Sequence, residues 1–159
     1  MIAAMATEIE RKFLLVSDTW RDRVTHSTSM AQGYLSSDAG CSVRVRIHDD
    51  AAELNVKSAT LGIERAEFEF PIPAGEAREM LETFCGGKLI IKTRYFVPNA
   101  GHTWEVDVFD GLNDGLVVAE IELGAADEPF SRPPWLGQEV SSDPRYYNVN
   151  LLDHPFCEW

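Results

Sequence analysis

Polar and apolar residues alternate along most of the chain, and this period of two is typical of β-strands that bury one face. Residues 7–15 are the first example, with Glu8 and Glu10 on one face and Ile9 and Phe13 on the other. Seven later segments are also strand-like, and turn-forming residues separate several of them. We therefore predict eight strands, at residues 7–15, 29–36, 42–48, 52–58, 63–72, 88–97, 103–110 and 116–123.

Helical periodicity is rarer than strand periodicity in this chain. Residues 74–85 place Ala77, Leu81 and Phe84 on one stripe, and the two glycines that follow are typical of a helix C-terminus. A second, short helix is predicted to begin after Ser17, which is a candidate N-cap.

The C-terminal part of the chain combines a loop with a last helix. Residues 127–137 are rich in proline and are predicted to form a loop. Asp143 and Pro144 have the residue types preferred at the N-cap and first position of a helix, so a helix is predicted over 144–152. At the other end of the chain, Met5 offers an alternative start, in which case residues 1–4 have no structural role.

Eight strands with few helices predict an α+β, mainly β fold, in which an eight-stranded antiparallel sheet closes into a barrel and the helices pack outside. No repeat, low-complexity tract or flexible linker divides the chain, so residues 1–159 are predicted to form a single domain. Aromatic residues on the apolar faces are predicted to pack in an outer core beneath the helices; they are Phe68, Phe70, Tyr95, Trp104 and Phe109.

The composition excludes several classes of protein. The formal net charge is −12, and an acidic surface repels nucleic acid and anionic membranes, so neither is expected as a partner. No apolar run is long enough to span a membrane, and the N-terminus lacks the features of a signal peptide. Cys41, Cys85 and Cys157 are an odd number without a CxxC motif, which argues against a disulfide framework or a zinc site and favours a cytoplasmic location.

The charged residues on the polar faces are sorted by sign from strand to strand. One strand has Arg44 and Arg46 on the same face, whereas another has Glu120 and Glu122. Like charges two residues apart on one strand repel each other unless opposite charge lies between them. The simplest alternative is a solvated face of an ordinary sheet. The sorting instead favours a site in which a polyanion lies over the basic strands and divalent cations lie over the acidic ones.

Such a site suits phosphoryl transfer. Mg²⁺ or Mn²⁺ binds carboxylate and phosphate oxygens, arginine binds phosphate through two parallel hydrogen bonds, and the reaction depends mainly on positioning and charge neutralisation. The chain contains no P-loop, no Gly-rich dinucleotide motif and no evident Ser/His/Asp order, and its four histidines lack metal-ligand spacing.

The segments that carry these charges follow one another in a recognisable order. They are Glu8-Ile9-Glu10-Arg11-Lys12, Gln32-Gly33-Tyr34-Leu35, Arg44-Val45-Arg46, Leu54-Asn55-Val56-Lys57, Arg65 with Glu67-Phe68-Glu69, Lys92-Thr93-Arg94-Tyr95, Glu105-Val106-Asp107, Glu120-Ile121-Glu122 and Asp143-Pro144-Arg145-Tyr146-Tyr147-Asn148. The first has the form ExExK. This ordered set resembles the CYTH superfamily of triphosphate tunnel metalloenzymes over nearly the whole chain, and the absence of large insertions is similar to its short bacterial members.

The resemblance implies roles for the charged residues inside a tunnel. Glu8 and Glu10 with Glu120 and Glu122 would hold a catalytic Mg²⁺ or Mn²⁺, and Lys92 would help to position or activate a water. The full set of predicted metal-site carboxylates is Glu8, Glu10, Glu67, Glu69, Glu105, Asp107, Glu120 and Glu122, of which Glu105 and Asp107 would also anchor basic residues. The predicted substrate-binding residues are Lys12, Arg44, Arg46, Lys57, Arg65, Lys92, Arg94 and Arg145.

The resemblance also implies a small-molecule triphosphate substrate. Our leading hypothesis is metal-dependent hydrolysis of inorganic triphosphate to phosphate and diphosphate. Hydrolysis of thiamine triphosphate or a nucleotide, cyclisation of ATP by a class IV-type adenylate cyclase, and binding of polyphosphate without turnover remain alternatives. The sequence leaves open a monomer or a homodimer, to which exposed Trp135 and Trp159 would contribute.

Overall fold

The computed structural model describes residues 7–60 and 62–159, so the prediction for residues 1–4 lies outside the described part. The described residues form nine β-strands, because the strand-like segments bury one apolar face each and a further short strand follows them. Their bounds are β1 Thr7–Leu15, β2 His26–Ser37, β3 Cys41–His48, β4 Ala51–Ser58, β5 Glu64–Ile72, β6 Ile90–Asn99, β7 His102–Phe109, β8 Val117–Glu122 and β9 Leu136–Glu139.

Eight of these strands close into an antiparallel barrel, which confirms the predicted fold class. Their order is β5-β4-β3-β2-β6-β7-β8-β1, and β1 returns to β5 to complete the ring. The closing strand β1 is shared between neighbours: Glu10–Leu14 pair with β8, whereas Thr7–Ile9 pair with β5. Near its end, Phe13 and Leu15 pair with β9, which therefore lies beside the barrel as an extra strand. β9 was missed because its residues lie partly in the predicted loop.

The helices are short, and two of the predicted helix ends are wrong. The first helix, α1, spans Ala74–Phe84, and the second, α2, spans Asn148–Asp153. The predicted C-terminal helix is divided, because Tyr147 has extended backbone angles between a 3₁₀ turn and α2. Ser17 caps no helix, since Asp18 precedes the first 3₁₀ turn and the Ser17 hydroxyl lies 3.0 Å from that of Thr19. No helix in the described ranges is long and apolar enough to cross a membrane.

An aromatic core covers one outer face of the barrel. Phe13 and Trp104 are fully buried and meet edge to face with ring centroids 5.6 Å apart, and Trp104 meets Trp135 in the same way at 5.7 Å. The predicted exposure of Trp135 is therefore wrong. Phe68 and Phe70 do not belong to an outer core either, because they lie on the exposed outer face of β5, where no helix covers them.

Helix α1 packs closely on the outer face of β2, β3 and β4. Its buried residues Ala77, Leu81 and Cys85, the last just beyond its end, contact Val45 of β3 in one apolar cluster. Gly33 of β2 permits this approach, because a Cβ at this position would lie 2.5 Å from Cys85 Sγ and 2.9 Å from Leu81 Cδ2. The absence of a side chain at Gly33 of β2 thus allows α1 to approach the barrel wall.

We expect Gly33→Ala to lower the free energy of unfolding by about 1–3 kcal/mol, because the added methyl group overpacks the interface with α1. In a Cys85→Ala background the cost should be smaller, since the nearest atom is removed. Urea-induced unfolding of the four proteins of this double-mutant cycle measures the effect. Gly75→Ala is the control, because a Cβ there meets nothing within 4 Å. An equal cost of Gly33→Ala in both backgrounds would contradict the steric explanation.

Candidate active site

The inner face of the barrel is polar and surrounds two adjoining cavities. The larger has a volume of about 370 Å³ and the smaller about 60 Å³. Predicted site residues supply much of the lining of both. Those that line at least one cavity are Glu8, Glu10, Lys12, Arg44, Arg46, Lys57, Arg65, Glu67, Glu69, Arg94, Glu105, Glu120 and Glu122. The alternation of strand residues therefore brings distant acids and bases around one enclosed space.

A buried ionic network forms one side of this space. Asp107 of β7 is fully buried and pairs with both Lys92 and Arg94 of the neighbouring strand β6. Arg94 Nη2 also donates to Glu120 at 2.7 Å, and Glu120 accepts from Lys12 Nζ at 2.9 Å. The register dictates these contacts, because Arg94 lies opposite Asp107, and Lys12 lies opposite Glu120. Each buried charge thus has a partner of opposite sign, which offsets the cost of burial.

The network holds its acids ionised. Burial alone raises the pKa of a carboxyl group, but Arg94 and Lys92 reverse this for Asp107 and hold its pKa below the ordinary value. Burial likewise opposes ionisation of Glu120, whose pKa is nevertheless well below its usual range because Lys12 and Arg94 lie beside it. For Lys92, burial and the neighbouring Arg94 lower the pKa to about 8, although Asp107 acts in the opposite direction.

The opposite wall is held by a second set of contacts. Lys57 of β4 pairs with Glu8 at 2.5 Å and lies 3.7 Å from Glu67. Asn55, on the same face of β4, is buried and donates through its amide to Glu67 and, at 3.2 Å, to Glu69. These contacts fix the acidic side chains of β5 against the basic side chain of β4.

Arg46 and Arg44 lie on the same strand face but differ in their partners. Arg46 Nε donates to Gln32 at 3.1 Å, and its Nη1 lies 3.3 Å from Glu53. Arg44 is nearly buried, lines both cavities and forms no ion pair with residues 7–60 or 62–159; its Nε has no hydrogen-bond partner there. A buried guanidinium without a carboxylate partner is a site for an anionic ligand.

Several carboxyl groups face the cavities without a full complement of basic partners. Glu10 forms no ion pair within the described residues, and burial together with Glu120 raises its pKa to about 7. Burial also raises the pKa of Glu105 to about 7, although Arg94 acts in the opposite direction. Glu122 lies opposite Glu10 in the β1–β8 register, so two carboxylates of like charge meet at this point.

This donor set fits a hard divalent cation. Oxygen ligands from several carboxylates are what Mg²⁺ and Mn²⁺ prefer, and a cation would relieve the repulsion among Glu8, Glu10 and Glu122. Within residues 7–60 and 62–159, no three His, Cys, Asp or Glu side chains already stand in ligand geometry. The carboxylates therefore require small rotations, or water ligands between them, to hold a metal.

Three predicted site residues do not line either cavity. Asp107 and Lys92 lie on the inner face of the barrel but are fully buried and pair with each other, and neither lines a cavity. Arg145 lies outside the barrel, where its exposed guanidinium binds Asp143 at 2.7 Å. Arg145 thus lines neither cavity, and its binding of substrate stays a prediction of the sequence.

The sequence analysis also missed residues that line the cavities. Glu53 and Asn55 share the inner face of β4 with Lys57, so the same alternation could have identified them. Ser141, Tyr147 and Asn148 follow the last barrel strand, and their approach to the cavity could not be read from strand alternation.

The fold and the site together define a closed antiparallel tunnel protein with a charged interior. The chain belongs to the CYTH domain family, whose model matches residues 6–150. It is 45% identical to an inorganic triphosphatase of Acetivibrio thermocellus over 152 residues, which cover 96% of this chain and 97% of that protein. An inorganic triphosphatase of Nitrosomonas europaea is 37% identical over 151 residues, covering 91% and 96%. The crystal structure of the inorganic triphosphatase NE1496 has a TM-score of 0.67 at 34% identity, covering 94% and 97%.

We expect Asp107→Asn to destabilise the protein by about 3–5 kcal/mol, because it leaves Lys92 and Arg94 buried with one negative charge fewer between them. Urea-induced unfolding at neutral pH measures this change. Asp153→Asn is the matched control, since Asp153 pairs with Lys88 where both side chains are largely exposed, and it should leave stability unchanged. Unfolding of Asp107→Asn at the wild-type urea concentration would show that the network is not a structural requirement.

Proposed function

We propose that the protein hydrolyses inorganic triphosphate to phosphate and diphosphate, with Mg²⁺ or Mn²⁺ as cofactor. The observation that carries the proposal is the pairing pattern inside the tunnel: within residues 7–60 and 62–159 neither Arg44 nor Glu10 forms an ion pair, although two nearby lysines favour ionisation of Glu10. A linear phosphate chain with a bound cation supplies both missing charges. The two relatives named inorganic triphosphatase support the same substrate.

The basic residues of the cavity wall would bind the phosphate chain. Arg44 is free to offer two parallel hydrogen bonds to phosphate oxygens. Arg46 is already oriented by Gln32 and Glu53, which leaves its remaining donors for the substrate. Lys57 would add a point charge after exchanging part of its contact with Glu8. Arg65 lines only the smaller cavity, so its role in substrate binding stays a prediction of the sequence.

The acidic residues that would hold the metal are Glu8, Glu10 and Glu122, because they face the cavity and lie near one another on β1 and β8. A bound divalent cation neutralises charge on the phosphate oxygens and lowers the pKa of a bound water. The two carboxylate oxygens of Glu120 pair with Lys12 and Arg94. We therefore assign Glu120 to holding these two basic side chains in place. Glu67 and Glu69 lie across the same cavity, where they would orient metal-bound waters.

The role predicted for Lys92 in activating water finds no support in its position. Its ammonium group is fully buried against Asp107 and lines neither cavity. We assign Lys92 to orienting Asp107, which in turn fixes Arg94 at the cavity wall. The cytoplasmic location and the choice between monomer and homodimer stay predictions of the sequence.

A substrate panel tests the proposed function. Purified protein with Mg²⁺ or Mn²⁺ should release orthophosphate from tripolyphosphate faster than from ATP or thiamine triphosphate, and chelation of the metal should abolish the release. A malachite green assay measures phosphate, and chromatography detects cyclic AMP. Cyclic AMP from ATP would identify a cyclase instead, and tight binding of tripolyphosphate without turnover would identify a binding module.

We expect Glu10→Gln to reduce kcat/KM for tripolyphosphate by at least about 100-fold while the fold is retained, because the amide removes a metal ligand of the proposed set without changing its size. Circular dichroism and thermal unfolding check the fold, and initial rates at several metal concentrations check the loss. Glu64→Gln is the matched control, since Glu64 is exposed on the outer face of β5. Wild-type turnover by Glu10→Gln would exclude Glu10 from the metal site.

A further inference from the structure

Asn148, the first residue of α2, lies where the two cavities meet. Among the described residues, five line both cavities, and four of them belong to strands of the barrel wall. Asn148 is the fifth and enters from the C-terminal segment. The five residues are Glu8, Glu10, Arg44, Lys57 and Asn148. Asn148 therefore stands between the cavities as a side chain inserted from outside the barrel strands.

The backbone that carries Asn148 is fixed by contacts on both sides of the barrel opening. The Tyr147 hydroxyl donates to the Ser141 carbonyl at 2.9 Å and accepts from the Gly62 amide at 3.4 Å. The guanidinium of Arg65 lies over the Tyr147 ring, 4.6 Å from its centroid. Lys12 Nζ donates to the Tyr146 carbonyl at 3.2 Å, so the segment just before Asn148 is tied to the inner wall.

The side chain of Asn148 has no structural bond of its own. Its amide forms no hydrogen bond with residues 7–60 or 62–159, and its Oδ1 is buried without a partner. Because the Asn148 side chain forms no hydrogen bond with the described residues, it acts here through the space that it occupies. Replacing it therefore alters the passage between the cavities without breaking a contact that holds α2.

The sizes of the cavities decide on which side of Asn148 a substrate lies. The smaller, at about 60 Å³, has room for a few waters only, since one water occupies about 10–15 Å³ of such space. The larger, at about 370 Å³, is within the usual range of small-molecule sites, which begins near about 300 Å³. Its lining includes the exposed residues Glu69 and Glu122, so that end reaches solvent. A phosphate chain in the larger cavity thus has Asn148 at its inner end and an open mouth behind it.

We propose that Asn148 is a stop for the terminal phosphate and so sets which phosphoanhydride bond is placed for hydrolysis. This inference rests on the proposed function. With the chain end held at Asn148, water adds its oxygen to the terminal phosphorus, the bridging P–O bond breaks, and the shortened chain leaves with its oxygen and takes up the proton. Longer linear chains extend through the open mouth and lose one orthophosphate at a time from the enclosed end.

Tetrapolyphosphate shows which bond is cleaved. Cleavage of its terminal bond gives orthophosphate and tripolyphosphate, whereas cleavage of its central bond gives two diphosphates. Tripolyphosphate gives the same products from either of its bonds, so it measures activity but does not show which bond was cleaved. We expect the wild type to form orthophosphate and tripolyphosphate from tetrapolyphosphate during initial turnover. Anion-exchange chromatography or ³¹P NMR of the early products measures the ratio.

In Asn148→Ala the space vacated by the side chain is added to the smaller cavity, so the chain can advance by one phosphate, and the diphosphate share of the early products from tetrapolyphosphate should rise by about tenfold. A tenfold change in the product ratio corresponds to about 1.4 kcal/mol. Asn148→Leu retains the volume and should keep the wild-type products. Asn150→Ala is the matched control, because Asn150 is exposed on the same helix and bonds the Pro144 carbonyl, so it tests loosening of the segment alone.

The results separate this inference from the proposed function. A wild type that leaves tripolyphosphate intact overturns the proposed function. A wild type that cleaves tripolyphosphate but not tetrapolyphosphate, or that forms diphosphate from tetrapolyphosphate at once, overturns the stop. Unchanged products in Asn148→Ala, or an equal change in Asn150→Ala, overturn it as well. A slower Asn148→Ala with the shifted products supports it, because damage to the fold alters the rate and leaves the choice of bond unchanged.

Discussion

The structure depends on burying charges of both signs inside a closed sheet without leaving them unpaired. Closure of the barrel between β1 and β5 turns the polar faces of eight strands inward, where water is limited and an isolated charge is costly. The ionic network of Asp107, Arg94 and Glu120 makes this possible on one wall, because each of these groups has a partner of opposite sign at hydrogen-bond distance. The barrel therefore constrains which residues the inner face can carry, and the register of the strands decides which charges meet.

The same requirement separates the groups that hold the tunnel from the groups available to a ligand. Charges that are fully buried in the barrel interior, such as Lys92 and Asp107, pair with each other. Around the cavity, Arg44 and Glu10 form no ion pair with any of the described residues. The raised pKa of Glu10, about 7, is the consequence of this arrangement, because burial and a neighbouring acid oppose its ionisation until a cation is present. The cavity charges that form no ion pair with the described residues thus define the candidate site.

The sequence predicted the barrel and most of the inner face because both follow from a period of two. Seven of the eight predicted strands match observed strands within two residues at each end, and β2 begins three residues early. The family prediction is confirmed by the matching model over residues 6–150. Alternation assigns a residue to a face, however, and says nothing of its depth. It therefore could not distinguish Lys92, which is fully buried on the inner face, from Arg44, which lines the cavities. Phe68 and Phe70 were placed in a core for the same reason, since alternation does not show whether a helix covers that face.

The C-terminal segment shows where local sequence signals stop being sufficient. Asp143 and Pro144 do begin a helical turn, and the Asp143 side chain accepts from the Arg145 amide as a capping residue does. Tyr147 ends that turn because its hydroxyl bonds Ser141, six residues earlier, and it also contacts Gly62 and Arg65, which are distant in the sequence. These contacts outweigh the weak preference of a short helix to continue, since an isolated helix of this length is unstable. Asn148 follows this extended residue and lines both cavities, so its position depends on tertiary contacts that no local pattern encodes.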